Sequence, residues 1–219
     1  MKFLYDGPAK RLEELQPKHP VILGQLLTPL TSFRYLDCPF GVDNGAFSRF
    51  DAKRFSTLLK RQLAERSKCL FVAAPDVIGS ARRTLEVFDT WGPRLEGWPV
   101  ALVLQDGQED LPVPWPLVAA VFVGGTTEWK MSKAAADLVK TALMVGKHVH
   151  VGRVNTPARF KYFADLGANT CDGSGVSRYN WMLERISACQ FEDYPLFPEG
   201  DSIDAEERGT VQQVPCPDA

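Results

Sequence analysis

Residues 148–172 read HVHVGRVNTPARFKYFADLGANTCD. His148 to Val151 and Asn169 to Asp172 are short runs of strand type. Between them Thr156 supplies a hydroxyl for a helix N-cap, Pro157 fits the first helical position, and Gly167 stands where a helix ends. A strand, a helix and a second strand in this order form a βα unit of a parallel sheet.

The same grammar extends toward the N-terminus. Strand candidates fall at Lys2 to Tyr5, Val21 to Leu27, Gly41 to Phe47, Leu70 to Ala74, Val100 to Gln105 and Val118 to Val123, which makes eight with the two above. The runs FVAA, VALVL and VAAVFV are apolar at consecutive positions, as in strands covered on both faces. Helices are predicted over Ala52 to Ser67, Ser80 to Trp91, Ser132 to Val145, Thr156 to Leu166 and Ser177 to Cys189. The stretch DGQEDLPVPWP after Gln105 carries too many prolines for a regular helix, so that crossover should be abbreviated. Eight strands in alternation favour a single-domain (β/α)8 TIM-type barrel over residues 1–191. Residues 192–219 are acidic and proline-bearing with no amphipathic period, and read as a partly disordered tail.

Composition narrows the class. A chain of 219 residues with 45% hydrophobic and 24% charged residues can bury one full core. It has no apolar run long enough to cross a bilayer and no secretory leader pattern, so no membrane partner and a cytoplasmic location are expected. Five widely spaced cysteines without a C-x-x-C pair predict reduced thiols and no structural metal. His148 and His150 share one strand face, where packing or hydrogen bonding is the favoured role over metal ligation. The net charge of −2 divides into a mildly basic body and the acidic tail, which permits a phosphate-contacting face.

Polar and glycine-rich motifs recur where the predicted strands end. They are VDNGAF with Asp43, APD with Asp76, LQDG with Gln105 and Asp106, VGG with Gly124 and Gly125, VGR with Arg153, and CDGSG with Asp172. One Asp-Gly at a strand end is ordinary turn chemistry. Repetition at equivalent barrel positions argues for one pocket at the C-terminal face. Three carboxylates facing one cavity suit glycosidic exchange: a nucleophile for a sugar carbon, a proton carrier for the leaving base, and an acceptor for a ligand's N–H groups. Gly124 and Gly125 leave backbone bare for a flat ligand, and Gln105 offers a donor and an acceptor.

HVGRVNTPARFKYFADLGANTCDGSGVSR, from His150 to Arg178, resembles the queuine and archaeosine tRNA-guanine transglycosylases and the shorter DNA-guanine transglycosylases of phages and genomic islands. The resemblance runs in consistent order from about residue 40 to 180. It implies Asp172 as nucleophile and Asp43 as general acid/base, with Phe47 its aromatic neighbour. VDNGAF stands in for the family's Asp-Ser-Gly-Gly-Phe, with Asn44 and Ala46 replacing Ser and the second Gly. Asp76 would meet the guanine edge, Gln105 the base, and Gly124 and Gly125 would contact it through the backbone. Arg153 and Arg178 are the phosphate-contact candidates, on loops where barrels often hold phosphate.

The zinc-binding Cys/His run of the tRNA enzymes is missing after Asp172, and the chain is short for their RNA-contacting elements. Both points favour the DNA branch. The implied reaction exchanges guanine in DNA for a 7-deazaguanine such as preQ0, with no cofactor, on a target base flipped from the helix, with room for accessory DNA-recognition proteins. Alternatives are a tRNA-guanine transglycosylase, a barrel enzyme acting on a small phosphorylated sugar, and a non-catalytic nucleic-acid-binding relative.

Overall fold

A computed structural model describes residues 1–30 and 35–189 of the chain. The expected acidic tail at 192–219, and Cys216 within it, lie outside the described residues.

Eight parallel strands close into a barrel: β1 (Lys2–Tyr5), β2 (Ile22–Leu27), β3 (Phe40–Val42), β4 (Cys69–Ala73), β5 (Val100–Leu104), β6 (Ala120–Val123), β7 (His148–Val151) and β8 (Thr170–Cys171). Closure comes from β1 pairing with β8, Lys2 opposite Thr170 and Phe3 opposite Cys171. The molecule is therefore an α/β protein of the (β/α)8 TIM-barrel type.

Helices cover the outside: α1 (Ala9–Leu15), α2 (Ala52–Arg61), α3 (Ala81–Trp91), α4 (Thr127–Lys130), α5 (Lys133–Met144), α6 (Pro157–Asp165), α7 (Ser174–Arg178) and α8 (Asn180–Ala188). Their starts follow the sequence signals. The side chains of Asp51, Ser80, Thr126, Ser132 and Thr156 each accept a hydrogen bond from the backbone N–H three residues on, and each such cap contributes about 1 kcal/mol.

Several boundaries differ from expectation for identifiable reasons. β3 stops at Val42 instead of running to Phe47, because Asp43 Oδ1 accepts from Gly45 N and Asn44 Oδ1 from Ala46 N, both at 2.6 Å. Two successive side-chain turns take the backbone out of the sheet, helped by Gly45 at φ 76°. The helix expected to reach Ser67 ends at Arg61 and tightens into a 3₁₀ segment over Leu63–Lys68. That expected over Ser177 to Cys189 is split into α7 and α8 by extended backbone at Tyr179. Helix α1 was not expected; Leu12 and Leu15 bury its inner face. Between β5 and β6 the proline-bearing segment forms only short 3₁₀ turns, at Gln108–Asp110 and Trp115–Leu117.

Alternation of side chains sorts the strands into two apolar layers. Leu4, Leu26, Phe71, Ala73, Ala101, Val103, Ala120 and Phe122 make one cluster, the barrel interior. Residues one step along, including Phe3, Leu27, Val42, Val72, Leu102, Val121, Val149 and Cys171, join the larger cluster packed under the helices. Phe71 of β4 lies against His148 and His150 of β7, ring centroids 5.9 and 4.5 Å apart, a contact that crosses the interior. Gly41 makes room for it: a Cβ there would sit 2.5 Å from the Phe71 ring.

Candidate active site at the barrel mouth

Parity of the strands selects what points into the mouth. The inward series on β1 continues from Leu4 to Asp6, on β3 from Gly41 to Asp43, on β5 from Val103 to Gln105, on β6 from Phe122 to Gly124, and on β8 from Thr170 to Asp172. Apart from Thr170, residues that are apolar or glycine within the barrel thus give way to carboxylates, an amide and Gly124 at its C-terminal rim. A short strand ending in a turn is what frees each of them from the ladder.

Asp43 feels Asp172, Asp76 and Asp6 as neighbouring negative charges. Burial, reinforced by these carboxylates, pushes its pKa up to about 7, against the opposing effect of the Gly45 N–H. It is therefore a carboxyl that holds or releases a proton near neutrality.

Asp76 sits in a brace. Asn44 Nδ2 donates to its Oδ1 at 2.9 Å and to the Ala74 carbonyl at 2.7 Å, while Gln105 Nε2 donates to its Oδ2 at 2.6 Å. Gln105 Oε1 accepts from Gly79 N at 3.0 Å and Gly125 N at 3.1 Å. Both amides are 3% exposed, so Asn44 and Gln105 act from behind, tying β3, β4, β5 and β6 to one carboxylate. Burial raises the pKa of Asp76, which the two amide donors oppose. Each Asp76 oxygen retains acceptor capacity for a further donor.

Asp172, 7% exposed, is fixed by two N–H groups. His150 Nε2 lies 2.9 Å from Oδ2, and the Arg153 backbone N donates to Oδ1 at 3.2 Å. Arg153 adopts φ 58°, the only non-glycine residue at positive φ among those described, at a cost of about 1 kcal/mol or more. That twist turns its amide toward Asp172 and sends its side chain across the mouth. There the guanidinium donates to the Gly125 carbonyl at 2.5 Å and lies 4.7 Å from the centroid of the Phe47 ring, which is 67% exposed.

Gly124 and Gly125 are required by crowding. A Cβ on Gly124 would meet Val103 at 2.9 Å and Gln105 at 3.0 Å; one on Gly125, at φ 69°, would meet Trp129 at 2.7 Å and Asp106 at 2.8 Å. The N–H and C=O of Gly125 are both engaged, by Gln105 and Arg153. Asp106 caps the following turn through the Thr126 backbone N–H and hydroxyl. Arg178 is exposed at the end of α7, where its charge acts on Asp6 as a minor favourable influence.

The structure adds three groups to those expected. Asp6 follows β1 in the motif YDG, the same strand-end Asp-Gly signature as the others; its pKa is raised by burial and by Asp172, and its Oδ1 has no hydrogen-bond partner among the described residues. His150 and Thr170 lie beneath Asp172 and hydrogen-bond to each other at 2.9 Å. Lys130, at the end of α4, is 3% exposed with Nζ 2.6 Å from the Gly152 carbonyl; burial and repulsion from Arg153 lower its pKa to about 7. Arg49, Lys53, Arg54, Arg82 and Arg83 remain exposed.

Among the described residues no group of three or more His, Cys, Asp or Glu side chains is arranged to hold a metal ion, and no helix is long and apolar enough to cross a membrane. Compared with known proteins, the chain matches no family model and no curated protein.

Proposed function

We propose that the protein is a nucleic-acid guanine transglycosylase that exchanges guanine in DNA for a 7-deazaguanine base. One observation carries this reading: a carboxyl poised to hold a proton near neutral pH, Asp43, shares the barrel mouth with a second carboxylate, Asp172, whose oxygens are oriented by two N–H donors. Carboxyl groups whose environments differ in this way divide the work of acid and nucleophile.

In the first displacement an oxygen of Asp172 attacks C1′ of deoxyguanosine while the bond from C1′ to the base nitrogen breaks, and Asp43 gives its proton to the departing guanine. The result is an ester between Asp172 and the sugar. In the second, Asp43, now the anion, takes a proton from the incoming base; the base nitrogen attacks C1′ and the ester oxygen leaves as the Asp172 carboxylate. Two inversions retain configuration. Asp76, held by Asn44 and Gln105, offers its remaining lone pairs to N–H groups on the edge of the base.

Arg153 fits this scheme as an arm that base entry displaces. Its flat guanidinium stacks on Phe47 and donates to the Gly125 carbonyl, two contacts that a flat base with N–H donors would make in its place. Once released, the arm can meet a phosphate of the flipped nucleotide.

The test is incubation of the purified chain with duplex DNA carrying labelled deoxyguanosine, with and without preQ0, following label release and base composition by mass spectrometry. Release that depends on preQ0 and vanishes in Asp172→Ala, with preQ0 appearing in the DNA, is the expected outcome. Labelling of tRNA and not DNA would move the substrate to RNA. Inertness of folded protein toward both would overturn the reading.

A further inference from the structure

Beneath Asp172 the barrel interior holds polar side chains where apolar filling is the rule. His148 Nε2 lies 2.8 Å from Thr170 Oγ1, His150 Nδ1 lies 2.9 Å from the same hydroxyl, and His150 Nε2 lies 2.9 Å from Asp172 Oδ2. His150 is 0% exposed and Thr170 1%. The rings of Phe71 and Phe122 flank His150, with centroids 4.5 and 4.7 Å away. Polar groups in such surroundings are costly unless every one is satisfied, and here the partners form a single line ending on the carboxylate.

That end fixes the direction of every bond in the line. A carboxylate offers only acceptors, so His150 Nε2 carries a hydrogen. Burial holds the pKa of His150 below its ordinary value, with Lys130 adding repulsion and Asp172 pulling the other way; the imidazole is neutral and Nδ1 is a bare lone pair. Thr170 has one proton to give and gives it to Nδ1. Its oxygen then accepts from His148 Nε2–H, and the His148 ring is also held neutral, its pKa lowered to about 4 by burial and by His150. Protonating His150 at Nδ1 would require Thr170 to turn its hydroxyl toward His148 and His148 to change tautomer, so the line resists reversal.

The geometry points to His150 as a positioning residue for Asp172: a one-way chain from His148 through Thr170 locks the Nε2–H tautomer and aims a donor at Oδ2 at 2.9 Å, so that Oδ1, which accepts only the longer 3.2 Å bond from the Arg153 backbone N–H, is the oxygen that attacks. The role assigned to Oδ1 rests on the reading of Asp172 as nucleophile. A neutral donor orients the carboxylate without pairing it with a cation, and when the ester forms Oδ2 becomes its carbonyl oxygen and keeps the same N–H.

The experiment is ¹⁵N NMR of histidine-labelled full-length protein near neutral pH, combined with single-turnover guanine release from DNA. In the wild type, His150 should appear as a neutral ring with hydrogen on Nε2. Thr170→Val removes the hydroxyl and keeps the shape, so Nδ1 loses its donor: its ¹⁵N resonance should move toward that of an unbonded bare ring nitrogen with the hydrogen still on Nε2, and release should slow by about tenfold. His150→Phe should slow release by on the order of 100-fold with little change in KM. His150→Gln, whose amide nitrogen reaches the Nε2 position, should recover much of that loss. A wild-type ring that is protonated on Nδ1 overturns the proposal. So do folded Thr170→Val and His150→Phe proteins that release guanine as fast as wild type. If wild-type protein releases no guanine from any nucleic acid, the functional reading fails, and the histidine spectra by themselves decide whether the chain has the direction assigned to it.

Discussion

At the scale of single residues, the chemistry depends on where Asp43 keeps its proton. Its folded pKa, about 7, stands above the ordinary aspartate value of 3.8. The native state therefore binds more protons than the unfolded chain between those values, and stability falls as pH rises through that window. Asp6 and Asp76 shift in the same direction. Asp43→Asn preserves the acceptor for Gly45 N and removes the charge. Urea titrations should show it more stable than wild type at pH 8, by on the order of 2 kcal/mol, and nearly equal at pH 4. The same variant should release no guanine, and wild-type release in the first half-reaction should decline above about pH 7, where the acid is lost. An unchanged pH profile in Asp43→Asn would remove Asp43 from the acid/base role.

At the scale of elements, close backbone approach and end-capping decide stability. A Cβ on Gly24 of β2 would lie 1.8 Å from the Pro39 carbonyl oxygen at the entry to β3, and backbone on a paired strand cannot yield as a side chain can. Gly24→Ala should cost about 3 kcal/mol or lose the folded state, measured as the midpoint of thermal or urea unfolding. Thr156 caps α6 through Arg159 N at 3.2 Å, so Thr156→Ala should cost about 1 kcal/mol by the same measurement. The cap has a second consequence, since α6 follows directly on the loop that carries Arg153 and packs Phe160 and Phe163 into the core. Loosening it should be felt at the mouth as well as in the melting curve.

At the scale of the whole molecule, basic residues gather at the mouth-side ends of the helices. The first turn of α2 carries Lys53 and Arg54, and that of α3 carries Arg82 and Arg83, with no acidic residue in either turn. Cations there oppose the helix dipole, at roughly 0.3 kcal/mol or more each. On the proposed reading they meet DNA phosphates around a rim where Phe47, Ile78, Tyr179 and Trp181 are also exposed. Arg82→Ala combined with Arg83→Ala should slightly stabilise the protein and weaken DNA binding. The slope of log affinity against log salt should become shallower by about 2. Weaker binding without a change in slope would mean that these arginines do not contact phosphate.

The eight-strand alternation, the helix starts at Ser80 and Thr156, and the strand-end aspartates were legible along the chain, because apolar period, cap residues and Asp-Gly turns are local properties. Asp6 carried that same local mark in YDG and α1 had its own apolar spacing, so both were legible though not expected. Which groups meet is set by folding in three dimensions. Barrel closure sets β1 beside β8 and brings Asp6 within reach of Asp172. It buries Lys130, turns Arg153 onto Phe47, commits Asn44 and Gln105 to Asp76, and threads His148, Thr170 and His150 into one line beneath Asp172. Desolvation and hydrogen-bond partnership arise between strands far apart in the chain, and no local pattern records them.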